Sequence, residues 1–327
     1  TDADRATIQK ELDQSIDQIN DNANVTYNGK YLVDGSHNSK VTATTTALTN
    51  ESLASNTASD AAFSTLKDRN GNSLNIQKSD TITMSVVKEG KTSTYSVRGS
   101  EKLSELVAKA SDALDSAIGT GSTIGSDVAG DTVSTADGGN ALTISAKGAG
   151  VTGQVSGLTF SVTNTKGQVQ KSANAILDNF TESIRAQNKS NDNAINLQVG
   201  TKANQSIRVG LTDMRAEALG LQSSNGTTLN IGTQQYANAA INVLDNAVQK
   251  ALDQQTTIGS VQSRLSYTSS NLTTASENVQ ASESTIRDAD MAKEMTEYTK
   301  NNVLLQAAQS MLAQANQSSS SVLSLLQ

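Results

Sequence analysis

Residues 241–286, INVLDNAVQKALDQQTTIGSVQSRLSYTSSNLTTASENVQASESTI, decide the fold of this chain. An apolar residue recurs in this stretch at a strict seven-residue step, which is typical of a coiled-coil-like helix. The repeat predicts one continuous helix over residues 234–286, about 80 Å long at ~1.5 Å per residue. No globular core needs a rod of that length. The apolar seam that we expect to hold the rod helix in place consists of Leu244, Ala251, Ile258, Leu265, Leu272, Val279 and Ile286.

The heptad phase slips after Ile286, at the sequence RDAD, which predicts a joint between two helical bodies. Residues 286–317, IRDADMAKEMTEYTKNNVLLQAAQSMLAQANQ, contain neither Gly nor Pro and read as a second helix. Its apolar residues form two neighbouring stripes, so we expect packing partners on two sides. The stripes comprise Met291, Met295, Tyr298, Leu305 and Leu312, and beside them Leu304, Ala308, Met311 and Ala315.

The remainder of the chain predicts mixed helices and strands. Residues 1–20 read as a helix, and Asn28-Gly29 is a strong signal for a two-residue hairpin turn. Residues 41–61 are rich in Thr, Ser and Ala and are weakly patterned. Further along, the sequence predicts strands with alternating polarity, helices and a second hairpin. These are strands at 82–86, 95–97, 141–146 and 158–164, helices at 103–118 and 171–190, a Gly/Ser/Asp loop at 119–140, and a hairpin at 195–211.

Composition narrows the classes of function. The chain has 327 residues, only 35% of them hydrophobic and 3% aromatic, and a net charge of −7. Such an acidic chain is a poor match for nucleic acid, which needs clustered Lys and Arg. No apolar run approaches the ~20 residues of a membrane span. The absence of Cys excludes disulfides and thiolate metal sites.

Candidate catalytic residues are equally scarce. His37, the only histidine, lies in a polar turn. The pairs Asp2/Asp4 and Asp288/Asp290 do not match a metal-binding loop, and Asp2 or Asp4 is favourable at a helix start. We therefore expect no enzyme activity, no metal and no cofactor.

Several stretches together resemble bacterial flagellin. They are DRATIQKELDQSIDQI, TYNGKYLVDG, LQVGTKANQSIRV, MRAEALGL and most of the region from YANAAINVLDNAVQKAL to the closing VLSLLQ. The resemblance covers residues 1–36 and about 194–327, in the family's order.

The resemblance implies an α+β multidomain fold in three parts. Residues 1–40 and 194–285 would form a coiled-coil-like helical rod domain with β-hairpins, residues 41–193 an inserted variable outer domain of α+β type, and residues 286–327 a C-terminal inner helix. It also implies that the family's N-terminal inner helix and first rod helix would precede residue 1, so we expect this chain to be a fragment.

The resemblance further implies a structural subunit of the flagellar filament, secreted to the outside of the cell, which polymerises with its own kind for swimming motility. Its partners would be other flagellin subunits, the flagellar export apparatus, an export chaperone and the filament cap. Glu11 aligns with a position that contacts a vertebrate Toll-like receptor in some flagellins. The main receptor-binding stretch of the family would lie on the first rod helix ahead of residue 1, so we expect such activity to be weak or absent here. No nucleic acid and no membrane are implied.

Other functions stay open at the level of sequence. A hook–filament junction protein shares flagellin-like ends. The same subunit could also serve as a secreted adhesin or innate immune ligand, and an outer domain could carry its own carbohydrate-binding or proteolytic activity.

We expect residues 291–327 to exchange backbone hydrogens faster than residues 236–285, because the partner helix implied by the resemblance does not lie in this chain. Hydrogen–deuterium exchange with peptide-level mass spectrometry measures both segments in one sample. Equal protection of the two segments would contradict the expectation.

Overall fold

The computed structural model describes residues 2–113, 141–288 and 290–325. The chain forms two compact units, Thr1–Gln262 and Ser263–Gln327. The predicted loop at 119–140 and the last residues of the predicted helix at 103–118 lie outside the described residues. The three-part division expected from the sequence stays a prediction.

The described part of the chain contains six α-helices, ten strands and two short 3-10 helices at Phe63–Thr65 and Val151–Gly153. The helices are α1 (Asp2–Ala23), α2 (Leu103–Ala113), α3 (Lys171–Leu177), α4 (Ala216–Leu219), α5 (Gln234–Arg287) and α6 (Met291–Leu325). The strands are β1 (Thr26–Tyr27), β2 (Lys30–Tyr31), β3 (Thr45–Asn50), β4 (Thr81–Lys88), β5 (Lys91–Arg98), β6 (Leu142–Ala149), β7 (Gly157–Thr163), β8 (Phe180–Ile184), β9 (Ile195–Gln198) and β10 (Ser206–Val209). The mixed α+β class and the long helix predicted over 234–286 are confirmed.

The main hydrophobic core of the first unit involves two three-stranded antiparallel sheets, with strand orders β5-β4-β7 and β6-β3-β8. All three phenylalanines of the chain meet in or against this core. The ring centroid of Phe160 lies 6.4 Å from that of Phe63 and 5.7 Å from that of Phe180. Aromatic pairs at this spacing add to the stabilisation from burial.

Strand β3 was not predicted, because it lacks the polar alternation of a half-exposed strand. It is the central strand of its sheet, and five of its six residues are buried. Its polar side chains find partners inside: Thr49 Oγ1 lies 3.1 Å from Thr143 Oγ1, and Asn50 Nδ2 donates to the carbonyl oxygens of Ile176 and Leu177 at the end of α3. A strand buried on both faces shows no period of two, so a Thr-rich stretch reads as unpatterned.

The prediction of one helix over residues 171–190 is wrong. Helix α3 ends at Leu177, and the chain continues as β8, which pairs antiparallel with β3. Ile176, Phe180 and Ile184 are four residues apart, which fits a helix, but residues 180, 182 and 184 also alternate with exposed positions. Pairing with β3 decides between the two periods. A strand at this position satisfies the backbone hydrogen-bonding groups along one side of β3, which a helix cannot do.

Two tight turns depend on residues with positive φ. Asn28 and Gly29 have φ values of 51° and 74° between β1 and β2, where Thr26 pairs with Tyr31. Glu89 and Gly90 take 49° and 71° between β4 and β5. Both φ values are positive in each turn, as the favoured two-residue hairpin turn requires.

The chain enters and leaves the two three-stranded sheets through paired segments. Val41 bridges to Ser190 and Thr44 to Gln187, both antiparallel. The two ends of the stretch between them therefore lie side by side.

A new helix begins where the heptad phase slips, as the sequence predicts, whereas a joint between two helical bodies at this point stays a prediction. Helix α5 ends at Arg287, and α6 begins at Met291. Asp290 caps the new helix, since its Oδ1 accepts from the backbone N–H of Ala292 at 3.0 Å and of Lys293 at 3.2 Å. An aspartate at this position satisfies backbone donors that have no partner within the helix.

Asp178 is an unfavourably placed carboxylate at the C-terminal end of α3. Burial raises its pKa to about 7, even though the side chain accepts the backbone N–H of Phe160. The last carbonyl groups of a helix carry partial negative charge, which also disfavours an anion here.

Replacing Asp178 by Asn should stabilise the chain at alkaline pH. The folded-state pKa lies above that of an unfolded aspartate, so the wild type loses stability as the pH rises from about 4 through about 7. Asp178→Asn keeps an oxygen acceptor for Phe160 and removes the charge. We expect a gain of about 1–2 kcal/mol in the free energy of unfolding at pH 8, discounted for partial exposure, and little change at pH 4.

Urea titrations at both pH values measure this gain, with the exposed Asp60→Asn as control. A gain of the same size at pH 4 would show that the charge of Asp178 is not its cause.

Candidate self-association interface

Within the first unit, helix α5 packs against the β-sheets through a face of small and polar side chains. Gly157, the first residue of β7, allows the close approach: a Cβ atom on Gly157 would lie 2.6 Å from Val243 Cγ2. A larger residue would force the strand away from the helix. The buried residues of α5 are Ala239, Ala240, Val243, Ala247, Lys250 and Gln254.

Side-chain amides of α5 hydrogen-bond the backbone around the start of β7. Asn242 Nδ2 donates to the carbonyl oxygen of Leu158 at 2.8 Å, and Asn246 Nδ2 donates to that of Ser156 at 3.0 Å. The two asparagines lie four residues apart and therefore on one face of the helix. They fix the position of the strand along α5.

A buried ion pair lies one helical turn further along α5. Lys250 Nζ is 3.3 Å from Glu182 Oε1 on β8 and donates to Gln154 Oε1 at 3.3 Å, and both charged side chains are less than a tenth exposed. Burial lowers the pKa of Lys250 and raises the pKa of Glu182, and in each case it outweighs the opposing effect of the partner's charge. Nearer the surface, Arg185 on the segment after β8 pairs with Asp253 of α5.

The predicted seam of α5 begins on a different face, which is open. Leu244, Ala251 and Ile258 line an apolar groove of about 530 Å³, together with residues 19, 22 and 23 of α1 and residues near α4. Leu244 is 37% exposed and Ile258 44% exposed. The groove therefore offers a ready apolar surface to another helix.

The remaining seam residues lie in the second unit. Leu265 is half-buried, whereas Leu272, Val279 and Ile286 are exposed. The assignment of all seven seam residues to a packed core stays a prediction.

Sequence reasoning missed the buried face of α5. Ala240, Val243, Ala247, Lys250 and Gln254 follow steps of three and four residues, the same spacing as an apolar stripe. Lys and Gln at the last two positions conceal the stripe from a search for apolar residues. The two asparagines beside it were the available signal, because they recur at helical spacing on the same side.

The terminal helix α6 exposes every residue of its two predicted stripes. Met291, Met295, Tyr298, Leu304, Leu305, Met311 and Leu312 are each more than half exposed, and Ala308 and Ala315 are exposed too. Contiguous apolar surface of this kind marks an interaction site in soluble proteins. The role of these nine residues in packing stays a prediction.

The other predicted residues form no catalytic arrangement. Glu11 is exposed on α1, and His37 Nδ1 lies 3.4 Å from the carbonyl oxygen of Asn193 near the paired segments. Residues 2–113, 141–288 and 290–325 contain no group of three or more His, Cys, Asp or Glu placed to hold a metal ion. No helix in those same ranges is long and apolar enough to cross a membrane.

Exposed apolar stripes on the terminal helix and an apolar groove in the first unit are typical of the class of proteins that pack against further helices. Comparison with known families agrees with this class, because residues 241–326 match the bacterial flagellin C-terminal helical region.

Three relatives extend the match beyond these helices. Flagellin of Bacillus subtilis is 36% identical over 190 residues, which cover 53% of this chain and 62% of the relative. The flagellar filament 33 kDa core protein of Treponema phagedenis is 47% identical over 129 residues, or 39% of this chain and 45% of the relative. The putative flagellin YvzB of Bacillus subtilis is 44% identical over 133 residues, 39% of this chain and 79% of the relative.

The chain belongs to the bacterial flagellin family. It spans less than two thirds of the length of the first two of these relatives.

Removing Lys250 from the buried pair should destabilise the fold. Lys250→Met leaves the buried carboxylate of Glu182 with only the longer contact to Arg185 Nε at 3.7 Å, and we expect the free energy of unfolding to fall by about 3 kcal/mol. The double variant Lys250→Met/Glu182→Gln removes both charges and should recover most of that loss. Urea denaturation followed by circular dichroism measures each variant.

The exposed Lys147→Met is the control and should leave the free energy of unfolding near that of the wild type. A double variant no more stable than Lys250→Met would show that loss of packing, rather than an unpaired charge, causes the effect.

Proposed function

We propose that this chain is a structural, self-associating part of a bacterial flagellar filament subunit, without enzyme activity. Family membership supports the proposal, and the observation that carries it is the open apolar surface on two long helices. A soluble chain that exposes so many large apolar residues gains stability by covering them, at roughly 25 cal/mol per Å² of apolar surface. Other copies of the chain are the natural cover.

The groove between α1 and α5 is one such surface in the proposal, and the stripes of α6 are another. Leu244, Val248 and Ile258 give the groove an apolar wall on the α5 side, and Met214 and Leu219 line it as well. A helix laid in this groove would bury the start of the predicted seam. Coiled-coil packing of residues 244–286 and an inner position for α6 in the filament both belong to this proposal.

The wider cellular setting also belongs to the proposal and rests on the family resemblance. We propose that the subunit is secreted, that the filament lies outside the cell, and that the export apparatus, an export chaperone and the filament cap handle it. Recognition by a Toll-like receptor at Glu11 is a further part of the proposal. The exposure of Glu11 on α1 is compatible with such a contact.

Association should depend on apolar residues inside the groove and not on exposed apolar residues elsewhere on α5. The variant Leu244→Gln/Ile258→Gln removes apolar surface from the groove. Its matched control, Ile241→Gln/Leu252→Gln, changes two α5 residues of similar exposure that do not line the groove. We expect the groove variant to lose association with flagellin and the control to retain it.

The measurement is co-sedimentation of each purified chain with full-length flagellin seeded by sheared filaments, with electron microscopy of the pellets. Urea titration checks that both variants stay folded. Equal association of the two variants, or a wild-type chain that never joins the pellet, would contradict the assignment of the groove.

A further inference from the structure

Three asparagines of this chain are each followed by a glycine: Asn28, Asn70 and Asn225. Asparagine before glycine is chemically labile, because the backbone nitrogen of the next residue can attack the side-chain carbonyl carbon and glycine has no Cβ to hinder the attack. All three asparagines are exposed. Sequence and exposure alone therefore do not rank the three sites.

The attacking nitrogen is held by a hydrogen bond at two of the three sites. The backbone N–H of Gly71 donates to the carbonyl oxygen of Asp68 at 3.0 Å, and that of Gly226 donates to the carbonyl oxygen of Ser223 at 3.0 Å. Each bond fixes a peptide group that has to rotate before the nitrogen can attack. These two turns must therefore open before they react.

Side chains hold the same two turns in place. Asp68 Oδ1 accepts from the backbone N–H of Asn70 at 3.0 Å and from that of Asn72 at 2.8 Å. Asn225 Oδ1 accepts from the backbone N–H of Thr227 at 3.0 Å and from the Thr227 hydroxyl at 2.7 Å, which fixes the amide group that would be attacked. Reaction at either site therefore requires the loss of several hydrogen bonds, each with a cost in free energy.

The turn at Asn28 lacks such bonds. In the described part of the chain, neither the side chain of Asn28 nor the backbone N–H of Gly29 has a hydrogen-bond partner. The turn joins β1 and β2, whose four residues are all exposed. A two-stranded hairpin is marginally stable on its own, and an element with few buried contacts opens at low cost in free energy.

We propose that Asn28 is a site of spontaneous deamidation in the folded chain, that it reacts ahead of Asn70 and Asn225, and that the reaction disrupts the β1–β2 hairpin. The nitrogen of Gly29 bonds to Cγ of Asn28 and loses its proton, while the bond from Cγ to Nδ2 breaks and Nδ2 leaves as ammonia with that proton. The product is a cyclic succinimide. Water opens the ring at either carbonyl group and gives aspartate or isoaspartate, so the net reaction consumes water and releases ammonia.

The isoaspartate product does not fit the turn. Its main chain runs through the former side-chain carbon, which adds a methylene group ahead of Gly29 and leaves a free, negatively charged carboxylate. The pairing of Tyr27 with Lys30 depends on a two-residue turn with positive φ at both positions. A longer main chain breaks that requirement, so the hairpin loses its pairing where isoaspartate forms.

The test incubates the folded full chain at pH 8 and follows each asparagine by peptide mass spectrometry, with electron-transfer fragmentation to separate aspartate from isoaspartate. The same chain unfolded in guanidinium chloride is the reference, because it keeps the sequence and removes the turns. In the folded chain we expect Asn28 to deamidate about fivefold or more faster than Asn70 and Asn225. In guanidinium chloride the three rates should approach one another.

The variant Asp68→Ala tests the protection of one turn directly. It removes the side-chain acceptor for Asn70 and Asn72, so deamidation at Asn70 should rise while the rate at Asn28 stays the same. Its matched control, Asp60→Ala, removes an exposed aspartate from the same segment and should change neither rate. If Asp68→Ala also accelerates Asn225, the fold as a whole has loosened, and the order of rates in the wild type alone decides.

The effect on the hairpin has its own measurement. Nuclear Overhauser contacts between Tyr27 and Lys30 should be present in the fresh chain and lost in the isoaspartate form. Their persistence would overturn the structural part of the proposal. Equal rates at the three sites of the folded chain, a faster reaction at Asn70 or Asn225, no reaction at Asn28, or the same order of rates in guanidinium chloride would overturn the assignment of the site.

Discussion

The buried ion pair between Lys250 and Glu182 is the contact on which the arrangement of the first unit depends. A charge removed from water needs a partner and further hydrogen bonds, and here the partner comes from a strand of one sheet and the further bond from Gln154 ahead of β7. The placement of α5 against β7 and β8 satisfies these groups together. The pair therefore selects a position for the helix more than it adds stability.

That position leaves α5 with two faces of opposite character. Towards the sheets it presents Ala and Val, which allow close approach, and amides that satisfy backbone carbonyls. Towards the groove it presents Leu and Ile, whose side chains stay partly exposed in the described chain. The order of side chains along one helix thus separates contacts that fix the first unit internally from surfaces that other helices can cover.

Sequence reasoning succeeded where a pattern extends over many residues and failed where tertiary contacts choose between patterns. The seven-residue repeat of α5 and the slip of that repeat before Met291 were readable, because helix periodicity is local. Strand β3 was not, since burial on both faces removes its alternation. Strand β8 was misread because Phe180 and Ile184 fit both periods. The difference among the three Asn-Gly pairs has no signature in sequence at all, because it arises from hydrogen bonds that form only when the chain folds.

The antiparallel bridges from Val41 to Ser190 and from Thr44 to Gln187 have an evolutionary consequence. A stretch whose two ends are held side by side can grow, shrink or be exchanged with little effect on the rest of the chain, since loop-closure entropy changes slowly with length. Exchange of this stretch is not unconstrained, however. It also carries Glu182, so any replacement has to bring an acidic side chain to the same place on α5 or appear together with a change of Lys250. The lysine on the helix and the carboxylate on the sheet should therefore be inherited, or lost, as a pair.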